Sequence, residues 1–288
     1  MALFSEHFYS APDGIRTYYR RYPAQGDTGK TPVICLHGLT RNSRDFEDLA
    51  PIIAEMGRTV VAIDVRGRGR SDYDANPDNY TPATYVEDVI GLLEELGWSQ
   101  VISIGTSMGG LITMILSTAR PGLLTGVVMN DIGPELDPVG LKRIQGYVGG
   151  AGRFANWEEA GEALRAINGV AFPKQTGSEF WIAFAKRTCR ALDTGEIVLD
   201  YDANISKPVQ SGDVAPPDLW PFFDGLKGRP VLLVRGAISD LLAMDCVEKM
   251  AERHGEMTLA QVPDVGHAPL LTEPDALGPI KALLNRLD

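Results

Sequence analysis

Short, almost wholly apolar runs punctuate the chain, and between them apolar residues return every three or four positions. Val33-Ile34-Cys35-Leu36, Thr59-Val60-Val61-Ala62-Ile63, Val127-Val128-Met129 and Val231-Leu232-Leu233-Val234, joined by Val101-Ile102-Ser103-Ile104 with its single serine, are too short for helices. They lack a solvent face, as expected of strands covered on both sides. Phe46, Leu49, Ile52 and Ile53 space out a helix that Gly57 stops. Val86, Val89, Ile90 and Leu93 space out a second, followed by Gly97, and Leu111 to Leu116 continue a third. Residues 6 to 22 read differently, as two strands around Pro12-Asp13-Gly14, the second alternating through Ile15, Thr17 and Tyr19. Strand and helix in alternation predict a mostly parallel sheet with right-handed crossovers.

The rhythm breaks after Pro134. Residues 135–224 carry helical patterns rather than strands, through Trp157, Ala160, Leu164 and Ile167, then Phe180, Trp181, Phe184, Thr188 and Leu192 behind a Ser178 N-cap. It resumes with the strand ending at Val234, a helix near Met244 to Arg253, a strand from Met257 to Val262 and a last helix from Pro274. The expected organisation is a core of 1–134 and 225–288, with a helical cap of 135–224 inserted after the sixth strand. Such a cap lies over the strands' C-terminal ends, where open α/β sheets bind ligands. Trp157, Trp181 and Phe184 are candidate pocket-lining residues, while most aromatics of the block read as its own core.

At 288 residues, 44% hydrophobic and 23% charged, the chain fits a single α/β unit with an insertion. A net charge of -11 argues against a hold on nucleic acid or an anionic membrane. Cys35, Cys189 and Cys246 form no C-x-x-C and suggest neither disulfides nor a zinc knuckle. The N-terminal residues lack a basic segment followed by an apolar one, and no run of about 18 apolar residues follows, so the cytoplasm is the expected compartment. No metal or cofactor is expected.

Candidate chemistry centres on Gly105-Thr106-Ser107-Met108-Gly109-Gly110, between an apolar strand and a helix. A serine on so tight a turn sits in a strained backbone conformation, and the glycines two before and two after it let strand and helix approach. The helix N-terminus offers free N–H groups to a developing oxyanion, that of Met108 first. A second donor is expected from the loop after Leu36, at the N–H of Leu39, with His37 holding that loop by its ring nitrogens. The serine needs a base. His267 suits it, in a loop after the last strand, unlike His7, His37 and His254. The preferred acid is Asp240, just beyond the strand ending at Val234; Asp131, which follows a strand directly, is the rival. Arg41 reads first as a solvent-exposed residue and second as a contact for a substrate carboxylate. Asp64-Val65-Arg66-Gly67-Arg68-Gly69-Arg70-Ser71-Asp72 lacks the third glycine of a dinucleotide fingerprint and reads as a tight polar loop.

Through His37-Gly38-Leu39, Asp64 to Asp72, the serine turn, Asp131-Ile132-Gly133-Pro134, Arg235 to Leu242 and Gly266-His267, the chain resembles α/β-hydrolase fold proteins of the capped esterase, lactonase and C–C hydrolase type. The likeness covers nearly the whole length. It implies a central sheet of about eight strands flanked by helices, and the order Ser107, Asp240, His267 is that fold's triad order. Serine at position 107, where haloalkane dehalogenases and epoxide hydrolases carry aspartate, speaks against those activities. The short His37-Gly38-Leu39 segment differs from the glycine-rich oxyanion loop common in meta-cleavage-product C–C hydrolases and hormone-sensitive-lipase-like esterases. The expected function is a cofactor-free serine hydrolase cleaving a small carboxylic ester or lactone through an acyl-enzyme. The alternatives are a C–C hydrolase, thioesterase or acyltransferase on the same triad, or a ligand-sensing receptor with little turnover. Expected partners are a small-molecule substrate, no nucleic acid and no membrane, in a monomer or homodimer.

Overall fold

The apolar runs become the parallel heart of an eight-stranded sheet. The structure is a computed structural model that describes residues 3–26, 29–150, 152–210 and 218–287. The core elements before the insertion are β1 (Ser5–Ser10), β2 (Arg16–Tyr22), β3 (Val33–Leu36), α1 (Leu49–Glu55), β4 (Val60–Asp64), α2 (Pro82–Glu95), β5 (Val101–Thr106), α3 (Met108–Ala119) and β6 (Leu124–Asn130). The insertion adds α4 (Pro138–Tyr147), β7 (Arg153–Phe154), α5 (Trp157–Asn168), α6 (Ser178–Thr188), β8 (Cys189–Ala191), β9 (Ile197–Leu199) and α7 (Lys207–Gln210). The chain then returns through α8 (Trp220–Asp224), β10 (Val231–Gly236), α9 (Met244–His254), β11 (Thr258–Val262) and α10 (Pro274–Asn285).

Sheet order is β1-β2-β4-β3-β5-β6-β10-β11, with β2 antiparallel to both neighbours and the remaining pairs parallel. Because side chains alternate across a strand, the apolar runs feed two cores. Ile34, Leu36, Val61 and Met129 pack with α2, α3 and α9 through Val89, Ile112 and Met250. Val33, Cys35, Ala62 and Val128 pack with α1 and α10 through Leu49, Ile53, Ile280 and Leu283. Both faces are thereby covered, which is why these strands have no polar side.

The insertion has its own core of Ala160, Leu164, Phe172, Trp181, Phe184 and Ala185. Its pattern suggests helices alone, but β7, β9 and β8 form a small antiparallel sheet. Strands of two or three residues are too short to show alternation in the sequence. Trp220–Asp224, which the expected boundary assigns to the cap, packs on the core helix α3, where Ser117 Oγ donates to Phe222 O at 2.8 Å and Phe223 is wholly buried.

Two seams fasten the insertion over the sheet's C-terminal edge. On one, Gly69 N donates to Asp200 O (2.9 Å) and Asp202 N to Gly67 O (2.7 Å), and Arg187 pairs with Glu47 (2.9 Å) and Asp48 (2.6 Å). On the other, Gly266 N donates to Ala171 O (2.7 Å) and Gly140 N to Asp240 O (2.9 Å).

Candidate active site

Ser107 stands between β5 and α3 with φ 50° and ψ −113°, a strained conformation for a residue with a Cβ. The turn is as tight as its glycines suggest. A Cβ on Gly109 would lie 2.0 Å from Leu36 O, and one on Gly105 2.5 Å from the Gly109 carbonyl carbon. The strain is held from the next strand. Ser107 N donates to Asn130 O at 3.0 Å, while Asn130 Nδ2 donates to Thr106 Oγ1 (3.0 Å) and Pro269 O (2.8 Å). One buried amide thus ties the serine turn to the loop that carries His267.

His267 Nε2 lies 2.9 Å from Ser107 Oγ, and its Nδ1 lies 2.8 Å from Asp131 Oδ2. A carboxylate only accepts, so Nδ1 carries the proton and Nε2 is free to accept from the serine hydroxyl. Asp131 is fully buried at the end of β6, with φ 55°. Its Oδ1 accepts from Gly236 N at 2.9 Å and its Oδ2 from Ser239 Oγ at 2.6 Å. The carboxylate therefore meets three donors, which fix its orientation.

The acid expected from the sequence, Asp240, is not in this chain of contacts. Arg143 of α4 grips it through Nε (2.5 Å) and Nη2 (2.9 Å), and that guanidinium holds its carboxyl below the usual carboxylate range. Sheet order explains why Asp131 rather than Asp240 meets His267. β6 adjoins β5, with Asn130 in register with Thr106, so the residue after Asn130 emerges beside the serine turn. β10 is one strand farther out, and its loop reaches Asp131 through Ser239 while Asp240 turns toward the insertion.

The N–H groups of Leu39 and Met108 have no acceptor among the described residues, and both residues line a cavity over Ser107. The Gly38 backbone approaches the serine closely enough that its Cβ would sit 3.8 Å from that of Ser107. His37 fixes this loop: Nδ1–H donates to Gly38 O (2.7 Å) and Nε2 accepts from Val65 N (3.0 Å). Burial pushes its pKa down to about 4, so it stays neutral.

The cavity measures ≈ 620 Å³, within the range of small-molecule sites. Phe184 lines it, as do Leu136, Ile144 and Tyr147. Trp157 and Trp181 do not: Trp181 is buried in the insertion's own core with Nε1 donating to Gln175 O (2.8 Å), and Trp157 packs against that core. Arg41 is half-buried rather than solvent-exposed, stacked 4.2 Å over the Phe184 ring and paired with Asp45 through Nε at 2.9 Å. Among the described residues no three of His, Cys, Asp and Glu gather as metal ligands, and no helix is long and apolar enough to cross a membrane.

The family profile of the alpha/beta hydrolase fold matches residues 31–274. The chain belongs to the α/β-hydrolase family. It is a hydrolase of that fold, 37% identical over 265 residues to a 3-hydroxybutyrate-oligomer hydrolase of Cupriavidus necator, covering 88% of each chain. It is 26% identical to a 2-(acetamidomethylene)succinate hydrolase of Mesorhizobium japonicum, over 91% of this chain and 90% of that one. Its structure superposes on the crystal structure of an alpha/beta hydrolase from Novosphingobium aromaticivorans with a TM-score of 0.92, 41% identity and 99% of each chain covered.

Within this α/β-hydrolase two site residues carry no sign in the sequence. Asn130 ends β6 and Ser239 lies in the loop after β10, both ordinary polar residues, and only the sheet order shows that one braces the serine turn and the other the buried aspartate.

Proposed function

We propose that the protein is a serine hydrolase that cleaves small carboxylic esters, with Ser107 as nucleophile, His267 as general base and acid, and Asp131 as the orienting carboxylate. The relay from Asp131 through His267 to Ser107 Oγ, at 2.8 and 2.9 Å beneath the cavity, carries this reading. Ser107 Oγ attacks the acyl carbon as its proton passes to Nε2, and the N–H groups of Leu39 and Met108 receive the oxyanion. The alcohol leaves with the proton from Nε2. Water, giving a proton to the same nitrogen, then attacks the acyl-enzyme, and the acid departs as Ser107 regains its hydrogen.

The cavity wall favours substrates without a carboxylate at depth. Arg41 is paired with Asp45, and Arg187 with Glu47 and Asp48, so both positive charges are already compensated before a substrate binds. A succinate, the substrate in one relative's name, is a dicarboxylate and suits this wall poorly. An oligomer of 3-hydroxybutyrate is a chain of esters with one terminal carboxylate, and suits it better. Short 3-hydroxyacyl esters are therefore our candidate substrate class, with no macromolecular partner required.

The test is a p-nitrophenyl butyrate burst followed by steady-state turnover, with linear 3-hydroxybutyrate oligomers assayed for released monomer. Wild type should turn over both, and Ser107→Ala should lose at least about 10⁴-fold in kcat. Turnover that survives Ser107→Ala overturns the mechanism, and a burst with no turnover favours a ligand-sensing role.

A further inference from the structure

The loop Gly67-Arg68-Gly69 has no part in the mechanism above, yet it buries a cation against Leu39 and Met108, the two residues whose N–H groups are to receive the oxyanion. Arg68 has no exposed surface. Its Nε donates to Leu39 O (2.9 Å), Nη1 to Arg66 O (2.8 Å) and Tyr85 Oη (2.9 Å), and Nη2 lies 3.6 Å from Met108 Sδ. The guanidinium carbon sits 4.9 Å from the centre of the Tyr85 ring and 5.7 Å from that of Tyr80. We propose that Arg68 is a positioning residue for the oxyanion hole, holding Leu39 and Met108 in place and setting a buried positive charge behind their N–H groups. This rests on the ester-hydrolase reading.

Arg66, in the same loop, is partnered quite differently. Arg66 is equally buried and meets three carboxylates: Asp88 (2.5 Å), Asp13 (2.7 Å) and Asp74 (2.8 Å). No carboxylate among the described residues pairs with Arg68; carbonyls, a phenol, a thioether and two ring faces surround it. A desolvated cation without a counter-ion is costly in the resting protein. The cost falls when negative charge develops nearby, so its interaction is stronger in the transition state than in the ground state.

The two glycines read as the means of aiming this side chain rather than of cradling a phosphate. Gly67 has φ +76°, and a Cβ there would meet the Tyr80 ring at 2.6 Å; Gly69 has φ +55°, and a Cβ there would meet Asp64 Oδ2 at 2.1 Å. With side chains excluded at both positions, the loop turns tightly enough to direct Arg68 inward.

Arg68→Met removes charge and fork while keeping the apolar stem, and Arg68→Lys keeps charge without the fork. Each is compared with wild type in kcat and KM for p-nitrophenyl butyrate, and in Ki for a trifluoromethyl ketone, which forms a tetrahedral adduct on the serine. Arg68→Met should lose about 30-fold in kcat with KM within threefold, and Ki should rise by the same factor. Arg68→Lys should fall between Arg68→Met and wild type on both readouts. A kcat for Arg68→Met within threefold of wild type overturns the proposal, as does a fall in kcat with Ki unchanged. If Arg68→Met does not fold, wild-type kcat and Ki in Arg68→Lys overturn it. Absence of ester turnover by wild type is a separate failure, that of the ester-hydrolase reading.

Discussion

Neutralising each of the two candidate acids separates the geometry from the sequence expectation. In Asp131→Asn the amide can still accept from Gly236 N, but its Nδ2 then faces His267 Nδ1 where a carboxylate oxygen stood. An amide N–H there favours the imidazole tautomer protonated at Nε2, which cannot take the Ser107 proton. The lost charge matters as well. Unit charges about 4 Å apart attract by about 4 kcal/mol at an effective dielectric constant of about 20, and Asp131 is fully buried, so the imidazolium formed in the transition state loses support of that order. At roughly 1.4 kcal/mol per decade this is about 10³ in kcat.

Asp240→Asn removes a different interaction. Asp240 and Arg143 retain about a fifth of their side-chain exposure, 22% and 20%, so their pair lies between the surface and buried regimes. Its loss should cost about 1–2 kcal/mol of stability and change kcat by less than about fivefold. Steady-state hydrolysis of p-nitrophenyl butyrate by both variants, with urea denaturation of each, gives the comparison. A larger fall in kcat for Asp240→Asn than for Asp131→Asn would refute the assignment, as would an Asp131→Asn enzyme within tenfold of wild type.

Gly109→Ala should destabilise the fold by about 3 kcal/mol or more, because its Cβ would lie 2.0 Å from the Leu36 carbonyl oxygen on a strand paired on both sides. Gly146→Ala, in α4 with nothing within 4 Å of the new Cβ, is the control and should be neutral or slightly stabilising by urea denaturation. His37, with its pKa lowered from 6.5 to about 4, binds fewer protons folded than unfolded, so stability is full above about pH 6.5 and falls as the pH drops toward 4. The full effect is about 3 kcal/mol at roughly 1.4 kcal/mol per pH unit. Denaturation midpoints that stay flat between pH 6.5 and 4.5, or that fall equally in His37→Asn, would contradict it.

What the sequence shows of this site follows from the range of the forces involved. The parallel strands are legible because burial on both faces leaves Val33 to Leu36 and Val231 to Val234 no polar position, a local consequence of a global arrangement. The serine turn is legible because Gly105 and Gly109 are demanded by contacts a few residues away or on the adjoining strand. The walls of the cavity are not. Trp181 and Phe184 share helix α6, three residues apart, yet only Phe184 meets the cavity, a choice made by how α6 lies on α5 and on Arg41. The acid is the sharpest case. Asp131 and Asp240 both follow strands that end at the same edge of the sheet, and by spacing alone either could orient the imidazole. What separates them is prior engagement. Arg143, 97 residues earlier in the chain, takes Asp240 for the seam between insertion and core, whereas Gly236 at the end of β10 and Ser239 in the loop after it direct Asp131 at the imidazole. The end of β10 and the loop after it, expected from the sequence to supply the acid, thus supply two donors to Asp131 instead. Removing Arg143 alone should therefore leave His267 with Asp131, because the donors at Gly236 and Ser239 do not depend on that ion pair.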